Sequence, residues 1–378
     1  DLLKAYHLRE MKNLDVAETE KVVKVWEDLP QKDLSLLFSD YLYRLKEWTN
    51  GNKARELNEH NIHKFKGITR QDNFPYAQFY KGALGPDVSP NERILGGSQD
   101  NGNLESGVST IPGANSFSDI WSGGDGAYVF IDRDKNYMIT SYVYNNYQYQ
   151  DYNNPTGQIS VYDIVEDENS GDFINPAELD DINDILYTNG TSGTTYQINR
   201  YILNIRGATA SNFTNVLLDA NPTAFKASEN PSTTLFIGTE NGKLFKVEGA
   251  DSAPVWREIT GNDFFGSISS IQLGASEMEI YVTFYNYGVQ SIFYSQDGGA
   301  SWQNKEGNFP DIPVRAIMAN PLNSNEVIIG TDLGVWGTAD FSATNPNWVR
   351  SQNGMKDVII TSFDLRTTDN TVLASTYG

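Results

Sequence analysis

The chain has 378 residues, carries 28 basic against 49 acidic side chains for a net charge of −21, and contains no cysteine. Acidity of this degree excludes the basic footprint that phosphate backbones require. The missing cysteines remove disulfides, a thiol nucleophile and Cys-ligated zinc. No apolar stretch is long enough to span a bilayer as a helix, and the first residues of the chain do not read as a signal peptide. The chain opens at Asp1 rather than Met, as expected of a processed or trimmed terminus.

The first 57 residues read as α-helical. Asp15 followed by Glu18 resembles a capping box ahead of Val22, Val23 and Trp26 on one face. Beyond Pro30, a second helix is marked by Leu34, Leu37, Phe38, Tyr41, Leu42, Leu45 and Trp48 at steps of three and four, and Asn50-Gly51 ends it. These apolar faces can pack on the rest of the chain or form a docking surface for another protein. Residues 1–60 hold ten basic and twelve acidic groups, so residues 61–378 carry almost all of the excess negative charge. The three histidines, His7, His60 and His63, all fall in the first 63 residues. Downstream, carboxylates, Tyr, Lys and Arg are therefore the available catalytic groups.

From residue 58 to 378 the pattern changes to short strands. A unit of three strands and a closing Trp strand recurs about every 45 residues, the period of a propeller blade. One copy runs through 223–228, 234–239, 242–247 and Trp256. The next has 268–272, 279–283, 289–294 and Trp302. A third has 314–318, 326–331, 334–337 and Trp348. A further unit starts at 358–362 and 371–378 and holds two strands. Earlier units are looser, and the acidic stretch between 163 and 198 reads as a long loop with one helical turn. The fold class expected is mainly β: a propeller of five to six four-stranded blades of the sialidase/sortilin-like type, its last blade incomplete, beside a small α-helical segment.

Residues 295–302, Ser-Gln-Asp-Gly-Gly-Ala-Ser-Trp, fit the Asp-box pattern S-x-D-x-G-x-[ST]-W. Ser295 opens the motif, Asp297 can accept backbone N–H groups and so fix the turn, Gly298 and Gly299 allow backbone angles that other residues resist, and Trp302 offers an apolar anchor between blades. This is a structural brace and not a catalytic group. The same region holds Tyr-Asn-Tyr-Gly-Val at 285–289, Glu-Gly-Asn-Phe-Pro-Asp-Ile-Pro-Val-Arg at 306–315 and Gly-Thr-Asp-Leu-Gly-Val-Trp at 330–336, with Gly-Gly-Ser-Gln-Asp-Asn-Gly upstream at 96–102. Together these resemble the BNR-repeat propellers of the sortilin-like and glycoside-hydrolase-74-like type exported by Bacteroidetes. The resemblance covers roughly residues 74–378 and not the helical segment. It implies a secreted or cell-surface protein, type IX secretion cargo, in contact with secretion or outer-membrane machinery.

Three candidate sites follow. Asp100 and Asp125 lie in Gly-rich loops and could form the acid and base of a glycosidase, as the resemblance to glycoside hydrolases implies; the alternative is that they brace turns. Tyr142, Tyr144, Tyr147, Tyr149 and Tyr152 form a run flanked by amides, suited to stacking on sugar rings or to packing on one another. Asp132, Asp134 and Asn136 have a D-x-D-x-N spacing that suits Ca²⁺, although the loop lacks the glycine and terminal carboxylate of an EF-hand and also fits a plain β-turn. The function expected is a non-catalytic module binding glycan or a surface protein. The alternatives are a xyloglucanase-like hydrolase and a structural subunit of a surface assembly that makes contact through residues 1–57.

Overall fold

A computed structural model describes residues 78–88, 92–106, 118–119, 124–152, 161–229, 233–351 and 357–377. The chain divides after Tyr76, and the described residues belong to the unit Ala77–Gly378. The helices read for residues 1–57, the docking surface read on them and all three histidines lie outside the described residues.

The described chain is a six-blade β-propeller of four-stranded antiparallel sheets, accompanied by one two-stranded sheet. The first blade is β1 (Phe79–Leu84), β2 (Ile94–Ser98), β3 (Gly102–Ser106) and β4 (Ser118–Asp119). The second is β5 (Val129–Ile131), β6 (Tyr137–Ser141), β7 (Asn145–Asp151) and β8 (Val161–Asp167), and the third β9 (Ala177–Asp180), β10 (Ile185–Asn189), β11 (Ile198–Asn204) and β12 (Gly207–Phe213). Then come β13 (Pro222–Ala227) to β14 (Leu235–Thr239), β15 (Leu244–Glu248) and β16 (Val255–Glu258), followed by β17 (Ile268–Leu273), β18 (Ile280–Phe284), β19 (Ile292–Ser295) and β20 (Gln303–Asn304). The sixth blade is β21 (Val314–Asn320), β22 (Asn323–Thr331), β23 (Gly334–Thr338) and β24 (Val349–Ser351), and β25 (Ile359–Arg366) pairs with β26 (Thr371–Tyr377).

Burial follows position in the blade. The second strands β14 and β18, Leu-Phe-Ile-Gly-Thr and Ile-Tyr-Val-Thr-Phe, are buried along their whole length. They are sandwiched between neighbouring blades and therefore read as continuous apolar runs without alternation. The outer strands β16, β20 and β24 are short and mostly exposed, and two of them carry arginine, a composition that discourages edge-to-edge pairing.

Gly-Thr ends both β14 and β22, and it has a mechanical cause there. A Cβ on Gly238 would meet Ile268 Cγ2 at 2.5 Å, and one on Gly330 would meet Ile360 Cγ2 at 2.6 Å, because each second strand abuts the start of the next blade. The adjoining threonine closes the loop that follows: Thr331 Oγ1 donates to the Gly334 carbonyl at 2.8 Å and accepts from Leu333 N at 3.0 Å. Two of the closing tryptophans are hydrogen-bonded to the blade before their own. Trp302 Nε1 donates to Ile259 O at 2.8 Å and Trp348 Nε1 to Lys305 O at 2.9 Å, 43 residues away in both cases.

The stretch read as a long acidic loop is instead the end of β8, all of β9 and β10 and the start of β11. Its acids mimic a loop composition but are engaged in place. Asp180 accepts from the backbone and side chain of Asn183 at the β9–β10 turn, and Glu178 turns inward to Lys226.

Candidate functional site: the hub and its aromatic face

The innermost strands β1, β5, β9, β13, β17, β21 and β25 surround an axial cavity of about 440 Å³. Five of them are bulged at one place, the bulged residues being Tyr80, Thr223, Ser269, Arg315 and Thr361. In three, the hydroxyl at that place bonds the neighbouring inner strand. Thr223 donates to Ile268 O at 2.7 Å, Ser269 to Val314 O at 2.5 Å and Thr361 to Phe79 O at 2.8 Å. Tyr80 and Arg315 depart from this hydroxyl pattern and stand at the mouth. Arg315 is fixed by Asp332 at 2.6 Å and stacks on the Tyr285 ring at 4.1 Å. Tyr80 packs on Tyr377, whose hydroxyl donates to Gln99; burial, Tyr377 and Asp125 push the Tyr80 phenol up to about 12.

Deeper in the channel, four charged side chains come from four strands: Lys81, Glu178, Lys226 and Asp364. Lys226 Nζ lies 3.3 Å from Glu178, whose charge raises the Lys226 pKa against the effect of burial. Asp364 accepts from Leu84 N at 2.6 Å. Lys81 has no ion pair among the described residues; its ammonium lies 4.7 Å from the ring centroids of both Tyr128 and Phe130. Burial lowers its pKa, opposed by the charges of Glu178 and Asp364. At the far end, Arg133 bridges Glu229 at 3.1 Å and Asp181 at 3.4 Å. Burial raises the Asp181 carboxyl to about 6, with Asp132 adding to the effect and Arg133 opposing it.

The two ends of the propeller differ. Loops joining the second to the third strand of a blade, and those joining one blade to the next, emerge where the inner strands begin. Tyr142, Phe173, Phe265, Tyr285 and Tyr287 all lie on such loops, and they are the exposed aromatic side chains among the described residues; Phe265 is 63% and Tyr287 66% exposed.

Asp100 and Asp125 do come together, and on this same end. The Asp100 amide donates to Asp125 Oδ1 at 3.0 Å, and Asp100 occupies a left-handed conformation, φ +57°. Asp125 thereby holds the turn between β2 and β3. The five tyrosines separate. Tyr147, Tyr149 and Tyr152 are buried: Tyr147 donates to Asn175 O at 3.2 Å, Tyr149 packs 5.1 Å from Tyr137, and Tyr152 donates to Asp87 at 2.9 Å beneath Arg93. A sugar would find Tyr142 and Tyr144 of this run, the latter edge-on to Phe173 at 5.7 Å. Asp132, Asp134 and Asn136 form the β5–β6 turn, in which Asp132 is buried and accepts from Asn136 N at 2.6 Å while Asp134 and Asn136 are exposed. Among the described residues, no group of three or more histidines and carboxylates is placed to hold a metal ion.

In the 295–302 turn, Asp297 accepts from Ser301 N and Ser301 Oγ at 2.8 and 2.6 Å and from Ser295 Oγ at 2.8 Å, while Gly299 N donates to Ser295 Oγ at 2.9 Å. These bonds hold the Asp297 carboxyl down at about 2. The turn joins β19 to β20, at the end away from the mouth.

The hub residues Tyr80, Lys81, Glu178, Lys226, Arg315 and Asp364 escaped the sequence reading. One signal was present: Arg315 stands where Thr223, Ser269 and Thr361 recur in the repeat.

Fold and site thus define a β-propeller with a charged axial channel and one aromatic face. A family of unknown function, DUF7834, matches residues 18–93, a stretch that reaches the end of β1 and stops before β2. No curated protein matches the chain. Among the described residues, no helix is long and apolar enough to cross a membrane.

Proposed function

We propose that this propeller is a non-catalytic binding module that receives a glycan or a protein surface on the face where its inner strands begin. The observation that carries this reading is the one-sided distribution of exposed aromatics: Tyr142, Phe173, Phe265, Tyr285 and Tyr287 all stand on loops of that face. Aromatic rings exposed on loops of a rigid β scaffold supply contact area at little entropic cost. The resemblance to exported BNR-repeat propellers supports a location outside the cell at the bacterial surface, and a net charge of −21 is compatible with it.

The hydrolase alternative asks Asp100 and Asp125 to act as acid and base. Asp125 is already engaged by the Asp100 amide, which favours a turn brace. The deciding experiment combines a glycan array and a surface-protein pull-down with a hydrolysis assay on a polysaccharide panel. Binding without hydrolysis, weakened at least tenfold in Phe265→Ala and Tyr287→Ala, is the expected result. Hydrolysis abolished by Asp100→Asn or Asp125→Asn would replace this reading with the catalytic one.

A further inference from the structure

Within the binding-module reading, on which this inference rests, the channel below the aromatic face has a chemistry of its own. Its charges are mostly neutralised in pairs: Lys226 by Glu178, Arg315 by Asp332, Arg133 by Glu229 and Asp181. Among the described residues Lys81 is the channel lysine that makes no ion pair, although the charges of Glu178 and Asp364 reach it, and its aromatic neighbours stabilise an ammonium without neutralising it.

The neighbouring inner strand adds a second unmet group at the same level. Lys81 and Ser362 each follow the bulge, pairing with Gly97 and Ser375 of their second strands, and Ser362 Oγ is buried without a hydrogen-bond partner. At the corresponding place, the other bulged strands carry Ala224, Ser270 and Ala316. A lone lysine in a tier of small residues has room in front of it. Ser270 and Gln272 line the same cavity, so its wall offers hydroxyl and amide groups beside one cation. A cavity of about 440 Å³ admits a monosaccharide-sized ligand but not a protein element.

We infer that the axial channel binds a sugar acid, a hexuronate or the acidic unit of a longer glycan, with its carboxylate on Lys81 and its hydroxyls on the Ser270, Gln272 and Ser362 wall. The cation supplies a charge-assisted hydrogen bond to the carboxylate, strengthened by its removal from bulk water. The titratable and charged groups facing Lys81 are Tyr128 just before β5, Glu178 of β9, Lys226 of β13 and Asp364 of β25. Binding therefore falls as pH rises through the Lys81 titration, which burial places below the ordinary lysine range.

Isothermal titration with D-glucuronate and D-galacturonate, set against D-glucose and inorganic phosphate, tests this on the full chain. The expected result is uronate binding with no response to glucose, lost at least tenfold in Lys81→Met and recovered in Lys81→Arg, with thermal melts showing that both variants fold. Uronate affinity unchanged in a folded Lys81→Met, or equal to that of glucose, would overturn the site. Phosphate binding as tightly as uronate would overturn the sugar-acid assignment. If Lys81→Met does not fold, loss of uronate binding at high pH in the wild-type chain serves in its place, and pH-independent binding overturns the site. Binding of neutral glycans or proteins on the aromatic face with no uronate binding in the wild-type chain would sink this inference and leave the binding module standing; binding of no ligand at all would sink both.

Discussion

Thr361 Oγ1 donates to the Phe79 carbonyl at 2.8 Å, joining inner strands that lie 282 residues apart. Elsewhere in the hub the same bond spans 45 residues, from Thr223 to Ile268 and from Ser269 to Val314. The contact between β25 and β1 is thus built with the same device that links consecutive blades. Thr361→Val keeps the shape and removes the donor, so it should cost about 1 kcal/mol in urea denaturation. A loss indistinguishable from zero would mean that this bond is not part of the closure.

Arg366 is the heavier clasp at the same junction. It is 4% exposed, pairs with Glu92 at 2.7 Å and Asp369 at 2.8 Å, and donates to the Asp87 carbonyl at 2.9 Å. Both the pairing and these bonds drive the Asp369 carboxyl well below, and the Arg366 guanidinium above, their usual ranges. Arg366→Ala should destabilise by about 3 kcal/mol, because it leaves carboxylates and carbonyls without their donor. Chemical denaturation checks this, and a change under about 0.5 kcal/mol would refute it.

Trp348 is fully buried between the fifth and sixth blades, against Phe309 and Phe341. Trp348→Ala removes both the packing and the bond to Lys305 O, and should cost about 3–5 kcal/mol in the same assay.

Asp181 provides a pH test. Burial raises its folded-state value to about 6, while in the unfolded chain it titrates near the ordinary 3.8. Between those values the folded protein holds a proton that the unfolded chain has released, so stability falls as pH rises through the window and levels off above about 6. Asp181→Asn removes this slope and keeps an acceptor for Arg133 N. The variant should gain steadily on the wild type as pH rises from 4 to 6. Melting curves across that range give the difference, and parallel curves would contradict the assignment.

Tyr287→Ala separates surface from scaffold. At 66% exposure the side chain contributes little to folding, so stability should stay within about 0.5 kcal/mol of the wild type while ligand binding on this face weakens. A large fall in melting temperature would show that the ring is structural.

Much of the blade architecture could be read from local pattern. Buried second strands such as β14 and β18 are continuous apolar runs, Gly-Thr marks where a strand abuts its neighbour, and Trp302 and Trp348 close their blades. The third blade is hidden from local pattern because Glu178, Asp180 and Asp184 look like solvated loop acids; their partners Lys226, Asn183 and Tyr137 are supplied by folding. The tyrosine run misled in the opposite direction. Nothing local distinguishes the exposed Tyr142 from the buried Tyr147, since burial depends on what the neighbouring blades bring against each side.

By itself, then, the sequence determined that short strands repeat with a blade period, that the chain is strongly acidic, and that Asp297 and Trp302 belong to a turn; each rests on residues close together in the chain. Only the tertiary structure decided what meets at the axis. Lys81, Glu178, Lys226 and Asp364 sit on four separate strands and share one cavity, and the exposed aromatics gather on one end because antiparallel strands return alternate loops to the same face. Charge pairing and burial at the hub are properties of strands brought together over nearly the whole chain, so no window of the sequence could contain them.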